Sequence, residues 1–350
     1  MSSVGRNISS AGSVSVGRNV SSAPSEEIAA AYAACQRLAA SHYENFPVAS
    51  RLLPAALRPH VAAIYAFARI ADDFADEPGR EAEARLRLLA DWGARLRHSH
   101  PRTLAPPYLR TPEPPHASTV DVFLALHDTI ARFDLPVSLL DDLLSAFRQD
   151  VVRTRYETWA ELVDYCRRSA DPVGRLVLRL SGYRIDDLDR ASDAVCTALQ
   201  LTNFWQDLAI DSARGRLYVP SEIWRRHGAN PADLDRHHLS REWLATLKEC
   251  GDRTRALFAN GRPVCDGVSG RLRYELRATW LGGTRILNRL ERNQFDVFKA
   301  RPSLGKSDAL VIAWGTLVWR RTVPPVAPVA PEAPVAPEAP EAPEAPAHLV

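Results

Sequence analysis

The chain has 350 residues, of which 46% are hydrophobic and 25% are charged, and these proportions are typical of a soluble globular protein with an ample core. A formal net charge of +2, without a dense basic tract, argues against nucleic acid as a partner. The five cysteines are scattered and show no CxxC spacing, which argues against a disulfide framework and a zinc site and favours a reducing compartment.

Both ends of the chain have compositions that cannot build a core. Residues 1–24 contain the near-repeat SVGRNISSA and SVGRNVSSA, are rich in Ser and Gly, and predict a disordered leader. Residues 324–350 carry a proline at nearly every third position, which predicts an extended, disordered tail. We expect both ends to be dispensable for chemistry.

The sequence between these ends, 25–323, predicts helix almost throughout. Ala, Leu and Arg dominate, apolar residues recur three and four positions apart, and alternating β-branched runs are scarce. Proline and glycine fall at plausible helix ends. We therefore expect one all-α domain with about ten or more helices around a central cavity.

The first feature that predicts chemistry is the cluster DDFAD at 72–76, which ends an apolar helical run. Asp72 and Asp76 form an i,i+4 pair, and Arg69 and Tyr65 precede the cluster by about one and two turns. An arginine beside metal-binding carboxylates makes sense when a diphosphate bridges them. The alternative interpretation is a solvated helix end with an internal ion pair.

The stretch DYCRRSADPVGRLVLRL, 164–180, predicts a helix that is interrupted and kinked at Pro172. Gly174, next to the kink, would let a hydrocarbon chain approach the backbone closely. Tyr165 lies on the N-terminal side of the same helix. Plain helix packing explains these features equally well.

A second polar stripe crosses an apolar segment at spacings of three, four and four residues: Gln200, Asn203, Asp207 and Asp211. Amides beside large aromatic residues indicate a lined cavity, because a solvated face usually carries Lys, Glu and Arg. Buried amides satisfied by the backbone are the alternative. Three side chains beyond the stripe are placed to reach a phosphate from a loop: Arg214, Arg216 and Tyr218.

Two carboxylate-bearing helix faces brought together would form an oxygen-rich cage suited to Mg²⁺, which keeps waters and shares its remaining positions with phosphate oxygens. A cation is needed there because buried carboxylates are otherwise costly. No GxSxG, HExxH, Walker loop or GxGxxG after a strand points to other chemistry. The residues thus predict a helical enzyme that handles a diphosphate.

One further apolar stretch, Ala309 to Trp319, has about half of the roughly 20 residues needed to cross a bilayer. It ends in Arg320 and Arg321, so it could lie at a membrane surface. We favour a buried core helix. The N-terminus has no apolar core behind a basic start and does not resemble a secretory signal.

The stretches HYENFPVASRLLPAALRPHVAAIYAFARIADDFADE and ALQLTNFWQDLAIDSARGRLYVP resemble the two signature regions of the squalene/phytoene synthase family. The resemblance extends over nearly all of the helical region. Within the family, YCRRSADPVGRLVL and QFDVFKARPSL are most similar to the bacterial hydroxysqualene synthases of hopanoid biosynthesis. The resemblance implies a single-domain isoprenoid synthase fold in which two Asp-rich helices face each other across the cavity.

The resemblance also implies roles for individual residues. Asp72, Asp76, Asp207 and Asp211 would hold Mg²⁺, with Mn²⁺ as an alternative, and Asp73 would assist. Contacts to the diphosphate would come from Tyr65, Arg69, Arg216 and Tyr218, while Asn203 would lie beside the metals and Tyr165 near the reacting carbons. The prenyl pocket and first helix would contribute Val173, Gly174, Gln200, His42 and Phe46.

The chain departs from many relatives at several positions. Gln206 replaces an arginine, Tyr43 and Asn45 replace small hydroxyl residues, and 167–172 replaces a Gly-rich stretch. These departures favour action on a preformed intermediate, presqualene diphosphate, which would lose diphosphate and be captured by water to give hydroxysqualene without NADPH. We expect a polar group near the reacting carbons, among Tyr43, Asn45 and Arg168, to position that water.

Three alternatives stay open. A head-to-head condensing synthase would act on farnesyl diphosphate and give presqualene diphosphate, squalene or phytoene. A chain-elongating prenyl synthase fits the first cluster, but Leu208 stands where those enzymes carry another Asp. A non-catalytic prenyl-lipid-binding protein is the remote alternative. Because the substrate is greasy, we expect a cytoplasmic protein with peripheral contact at the inner face of the membrane, associated functionally with other squalene-pathway enzymes.

Overall fold

The computed structural model describes residues 26–41, 53–76, 79–97, 119–326 and 328. This part of the chain is all-α, contains no β-strand, and has one isolated bridge between Arg155 and Leu217. The helices are α1 Glu26–Ser41, α2 Arg58–Asp76, α3 Ala82–Arg97, α4 Thr119–Phe133, α5 Val137–Val152, α6 Trp159–Ser169, α7 Asp171–Leu180, α8 Asp186–Gln206, α9 Leu208–Ala213, α10 Ser221–Arg226, α11 Pro231–Asp235, α12 Arg241–Gly261, α13 Val264–Gly267, α14 Gly270–Arg292 and α15 Lys306–Leu317, with a 3₁₀ turn at Ala55–Leu57.

The prediction of an all-α fold is confirmed for these residues. The predicted leader, 1–24, and most of the predicted tail, 324–350, lie outside the described residues, as do His42, Tyr43, Asn45 and Phe46.

Helix α8 lies at the centre of the fold and packs against α6, α7, α12, α13 and α14. Its apolar residues contribute to two clusters of buried side chains. One cluster is built mainly from α1 to α5 and α7, and the other mainly from α6, α8, α12 and α14. Trp205, fully buried near the end of α8, donates its indole N–H to Thr254 Oγ1 over 2.9 Å. This packing fixes the C-terminal end of α8, where the second acidic cluster begins.

The predicted kinked helix is two separate helices. Helix α6 begins at the N-cap Thr158, whose hydroxyl accepts a hydrogen bond from Glu161 N–H, and it ends before Ala170. Pro172 then lies in the first turn of α7, where a missing N–H costs no hydrogen bond. The expectation of a proline inside one helix was wrong, because the chain starts a new helix around it.

The expectation that the stretch from Ala309 to Trp319 is a buried core helix was also wrong. It forms most of α15, which packs against α14 at the surface. Within the described part of the chain, no helix is both long enough and apolar enough to cross a membrane.

Candidate active site

The first acidic cluster ends α2. The helix buries Phe67, Ile70 and Phe74, while Arg69 and the three aspartates of the cluster keep solvent access. The Arg69 guanidinium contacts Asp72 Oδ2 over 3.3 Å and Asp73 Oδ1 over 2.6 Å. The C-terminal end of a helix carries partial negative charge, so carboxylates there are unfavourable unless a cation compensates them. The cluster is therefore placed for binding cations rather than for stability.

The second cluster straddles a break between two helices. Asp207 has φ −100° and ψ 8°, so α8 ends before it and α9 begins after it. The backbone nevertheless keeps the i,i−4 pattern, since Asp207 N–H bonds Asn203 O and Asp211 N–H bonds Asp207 O. The stripe residues keep solvent access, while four apolar neighbours, Leu201, Phe204, Trp205 and Leu208, are buried. The predicted polar stripe is present, although it spans two helices.

The two clusters face each other across the site. Arg216, in the loop after α9, places its Nη2 2.7 Å from Asp76 Oδ1, although 140 residues separate them in sequence. Loss of hydration, reinforced by Asp76, raises the pKa of Asp72 to about 6. Loss of hydration, reinforced by Asp207, likewise raises the pKa of Asp211 to about 6. Carboxylates that lose hydration and have a like charge beside them are costly to ionise, so both would gain from a nearby cation.

A third arginine was missed by the sequence reasoning. The Arg301 guanidinium forms a two-pronged ion pair with Asp207, in which Nη2 lies 3.2 Å from Oδ2 and Nε contacts Oδ1. Next to it, Gln206 donates its side-chain amide to Pro302 O. Arg301 lies in the stretch QFDVFKARPSL, which carries part of the family resemblance. However, 94 residues separate Arg301 from Asp207, and no local sequence pattern joins the two.

Four aromatic rings form a wall beside the arginine side chain that joins the clusters. Tyr218 stacks on Phe204 with ring centroids 3.8 Å apart, and Tyr165 lies 6.2 Å from Tyr218. Tyr156 lies 5.9 Å from Tyr218 and 5.6 Å from Tyr165. Faces of aromatic rings carry partial negative charge and attract cations. The structure thus brings Tyr165 and Tyr218 into one group of aromatic rings, to which Tyr156 also belongs.

Asp150 on α5 is a second residue that the sequence reasoning missed. Its Oδ2 accepts a hydrogen bond from the Tyr165 hydroxyl over 2.9 Å. Its Oδ1 is buried and has no hydrogen-bond partner among the described residues. Burial raises the pKa of Asp150 to about 7, although the bond from Tyr165 acts in the opposite direction. No motif surrounds Asp150 in the sequence, so only the fold reveals it.

This arrangement of helices, acidic clusters and rings can be compared with known proteins. Residues 39–308 match the sequence model of the squalene/phytoene synthase family. The chain belongs to this family. A hydroxysqualene synthase from Zymomonas mobilis is 37% identical over 218 residues, which cover 61% of this chain and 67% of the relative. Another, from Rhodopseudomonas palustris, is 32% identical over 276 residues, or 78% and 88% of the two chains.

A solved structure agrees with these sequence comparisons. The crystal structure of squalene synthase HpnC from Alicyclobacillus acidocaldarius has a TM-score of 0.68 and 38% identity, covering 77% of this chain and 96% of the other. The squalene/phytoene synthase resemblance and the isoprenoid synthase fold are therefore confirmed, and the chain is an enzyme of squalene/phytoene synthase type.

The family's prenyl pocket was predicted to include Gly174, but α8 already occupies the space at this glycine. A Cβ at Gly174 would lie 2.3 Å from Ser192 Oγ and 2.6 Å from Cys196 Sγ. Close approach to the backbone is therefore made by a neighbouring helix. Val173 beside it is partly buried against the first core cluster. A role of either residue in contacting a prenyl chain stays a prediction.

Arg168, one candidate for positioning a water, is bound by polar side chains of α5. It donates to Ser145 Oγ over 2.9 Å and to Gln149 Oε1 over 2.6 Å. Gln149 in turn donates to the Tyr156 hydroxyl over 3.0 Å. Arg168 therefore reaches the wall through Gln149.

The donor set of this squalene/phytoene synthase site fits a hard cation. Among the residues that the structure describes, no three His, Cys, Asp or Glu side chains converge on one metal position. The acidic side chains instead pair with Arg69, Arg216 and Arg301. Carboxylates with raised pKa values and only oxygen donors suit Mg²⁺, which needs few protein ligands when phosphate oxygens supply others.

Proposed function

We propose that this family member converts presqualene diphosphate and water into hydroxysqualene and diphosphate. The observation that carries the proposal is the ion pair between Arg216 and Asp76, which joins the two acidic clusters beside a wall of aromatic rings. The names of relatives at 37% and 32% identity support the hydroxysqualene branch. A place in hopanoid biosynthesis belongs to the same proposal.

In the proposed reaction, the bond between the carbinyl carbon and the diphosphate oxygen breaks, and both electrons leave with the diphosphate. Arg69, Arg216 and Arg301 would donate to its oxygens, because guanidinium groups match phosphate geometry. These donors would stabilise charge that grows as the bond breaks. The aspartates of the two clusters would hold Mg²⁺ or Mn²⁺, which supplies further positive charge for the departing diphosphate.

The remaining carbocation would be held against Phe204, Tyr218 and Tyr165, whose ring faces stabilise positive charge. The cyclopropylcarbinyl cation rearranges, water then forms the new C–O bond as a bond of the cyclopropane ring breaks, and the water's proton passes to the released diphosphate. The proposed conversion of presqualene diphosphate into hydroxysqualene involves no net reduction, so NADPH is not required. Tyr165, fixed by its bond to Asp150, would set the shape of the wall at the reacting carbons.

Product analysis by mass spectrometry tests the proposal. Purified protein with Mg²⁺ and without NADPH is given presqualene diphosphate in isotopically labelled water. We expect hydroxysqualene with a labelled hydroxyl oxygen. Asp76→Asn should lose this activity, while Arg225→Ala, which removes an exposed ion pair with Glu157, should keep it.

The same assay with farnesyl diphosphate separates the alternatives. Turnover of farnesyl diphosphate to presqualene diphosphate, squalene or phytoene would assign a condensing synthase instead. Substrate binding without turnover of either compound would favour the non-catalytic alternative.

A further inference from the structure

Helix α15 exposes large apolar side chains that a surface helix normally buries. Its outward face carries Leu310, Trp314 and Leu317, which are 75%, 67% and 69% exposed, with Val311 and Val318 beside them. These five residues form one stripe at helical spacing and are called the α15 apolar face. Its inward face includes Ile312 and Gly315, but its two buried residues, Asp308 and Thr316, are polar. Such an arrangement is unfavourable in water, because surface helices normally bury their apolar stripe.

Specific contacts hold α15 in this orientation. Asp308, 1% exposed, accepts hydrogen bonds from Arg289 Nη2 over 2.6 and 2.8 Å and from Arg285 on the same neighbouring helix, α14. It also accepts from Gly305 N–H over 2.6 Å, which closes the N-terminus of α15. Further along, Gly315 lies close to the Leu281 side chain. The outward placement of the apolar stripe is therefore built into the packing.

The exposed charged residues that flank the α15 apolar face in sequence are all basic. Lys306 precedes it, and Arg320 and Arg321 follow it, all exposed. Between Arg301 and Val326 the sequence contains one acidic residue, Asp308, and its carboxylate is buried among arginines. An apolar stripe with exposed tryptophan and basic ends is the pattern of a helix that lies in a membrane interface.

The segment that leads into α15 is close to the active site. Leu304, 43% exposed, extends the apolar surface just before α15. It is three residues from Arg301, which contacts Asp207, so their Cα atoms are at most about 11 Å apart. A surface that binds lipid here would lie beside the site that receives an apolar substrate.

We propose that the α15 apolar face docks this protein on a membrane surface that contains anionic lipid. A second copy of the chain fits less well, because a symmetric contact would bring the basic ends of two α15 helices together. The proposal does not depend on the reaction assigned above, since lipid binding is measured without substrate.

Flotation of the full chain with vesicles tests this docking. One set of vesicles contains phosphatidylcholine alone, and the other also contains phosphatidylglycerol. We expect flotation with the anionic vesicles, weakened by salt. The triple variant Leu310→Ser/Trp314→Ser/Leu317→Ser should lose more than about tenfold in vesicle affinity, since one large apolar side chain alone contributes about that factor. The variant Lys306→Gln/Arg320→Gln/Arg321→Gln should lose the preference for anionic vesicles.

Val152→Ser is the control, because Val152 is an apolar residue of α5 that is 66% exposed and lies outside this face. It should float like the unsubstituted chain, and all variants should keep their melting temperature. Failure of the unsubstituted chain to float, or flotation of the triple variant at full strength, would overturn the proposal. So would gel filtration in which the triple variant dissociates a dimer, or substitutions that accelerate proteolysis of residues 329–350, since the face would then be covered by protein.

Discussion

At the residue scale, arginines compensate the aspartates of both clusters. Arg69, Arg216 and Arg301 all pair with carboxylates that are expected to bind cations. The same guanidinium groups suit a diphosphate. The ion pairs with aspartate therefore engage the arginines that the proposed reaction needs for binding the diphosphate. Each arginine would exchange an aspartate for a phosphate oxygen when substrate binds.

Arg301 offers a direct test of this exchange. Arg301→Gln should lower kcat/KM about tenfold to a hundredfold, because a charge-assisted hydrogen bond contributes about 1.5–3 kcal/mol. Arg301→Lys should recover part of the loss. Steady-state kinetics with presqualene diphosphate provide the measurement. An unchanged kcat/KM would show that Arg301 serves only to neutralise Asp207.

The bond between Tyr165 and Asp150 is the second residue-scale test. Tyr165→Phe should cost about 1–3 kcal/mol of unfolding free energy, since it leaves a half-buried carboxyl without its partner. Adding Asp150→Asn should cost less than the sum of the two single effects. Urea unfolding of the four proteins in the cycle measures the coupling. Additive effects would mean that the hydrogen bond contributes nothing to stability.

At the element scale, Gly174 allows α7 and α8 to pack closely against each other. Gly174→Ala should destabilise the fold by about 1–3 kcal/mol, because the new methyl group overlaps Ser192 and Cys196. Replacing both neighbours by Ala should restore stability. Gly305→Ala is a matched control, since its Cβ would meet nothing closer than 3.8 Å. Thermal melting and activity are measured together, and lost activity at unchanged melting temperature would instead support the predicted pocket role.

The elements also show which features are readable from sequence. Periodicity predicted the helices, and carboxylates four residues apart located both acidic clusters, because these are local patterns. Arg301 and Asp150 reach the site through tertiary packing, which no local pattern encodes. For α15, apolar content predicted burial, but the ion pairs of Asp308 with α14 decide which face turns inward. Similarly, the break at Asp207 depends on how α8 and α9 pack.

At the scale of the whole molecule, α14 joins the two core clusters. Leu272 near its start belongs to one cluster, Leu287 and Leu290 near its end belong to the other, and Trp280 packs against both. Glu275 lies between these contacts and is only 4% exposed. Its Oε2 has no hydrogen-bond partner among the described residues. An ionised group here weakens the element on which both clusters depend.

Glu275 therefore makes the stability of the whole fold depend on pH. Burial raises its pKa from 4.5 to about 8, so the folded state holds a proton that the unfolded state releases. Stability is fully present below pH 4.5 and is lost as pH rises through about 8, by about 1.4 kcal/mol for each pH unit in which only the folded state is protonated. Glu275→Gln should match the unsubstituted chain at low pH and melt several degrees higher at pH 8. Melting curves across this range measure the gap, and a gap that is the same at every pH would assign the effect to packing rather than ionisation.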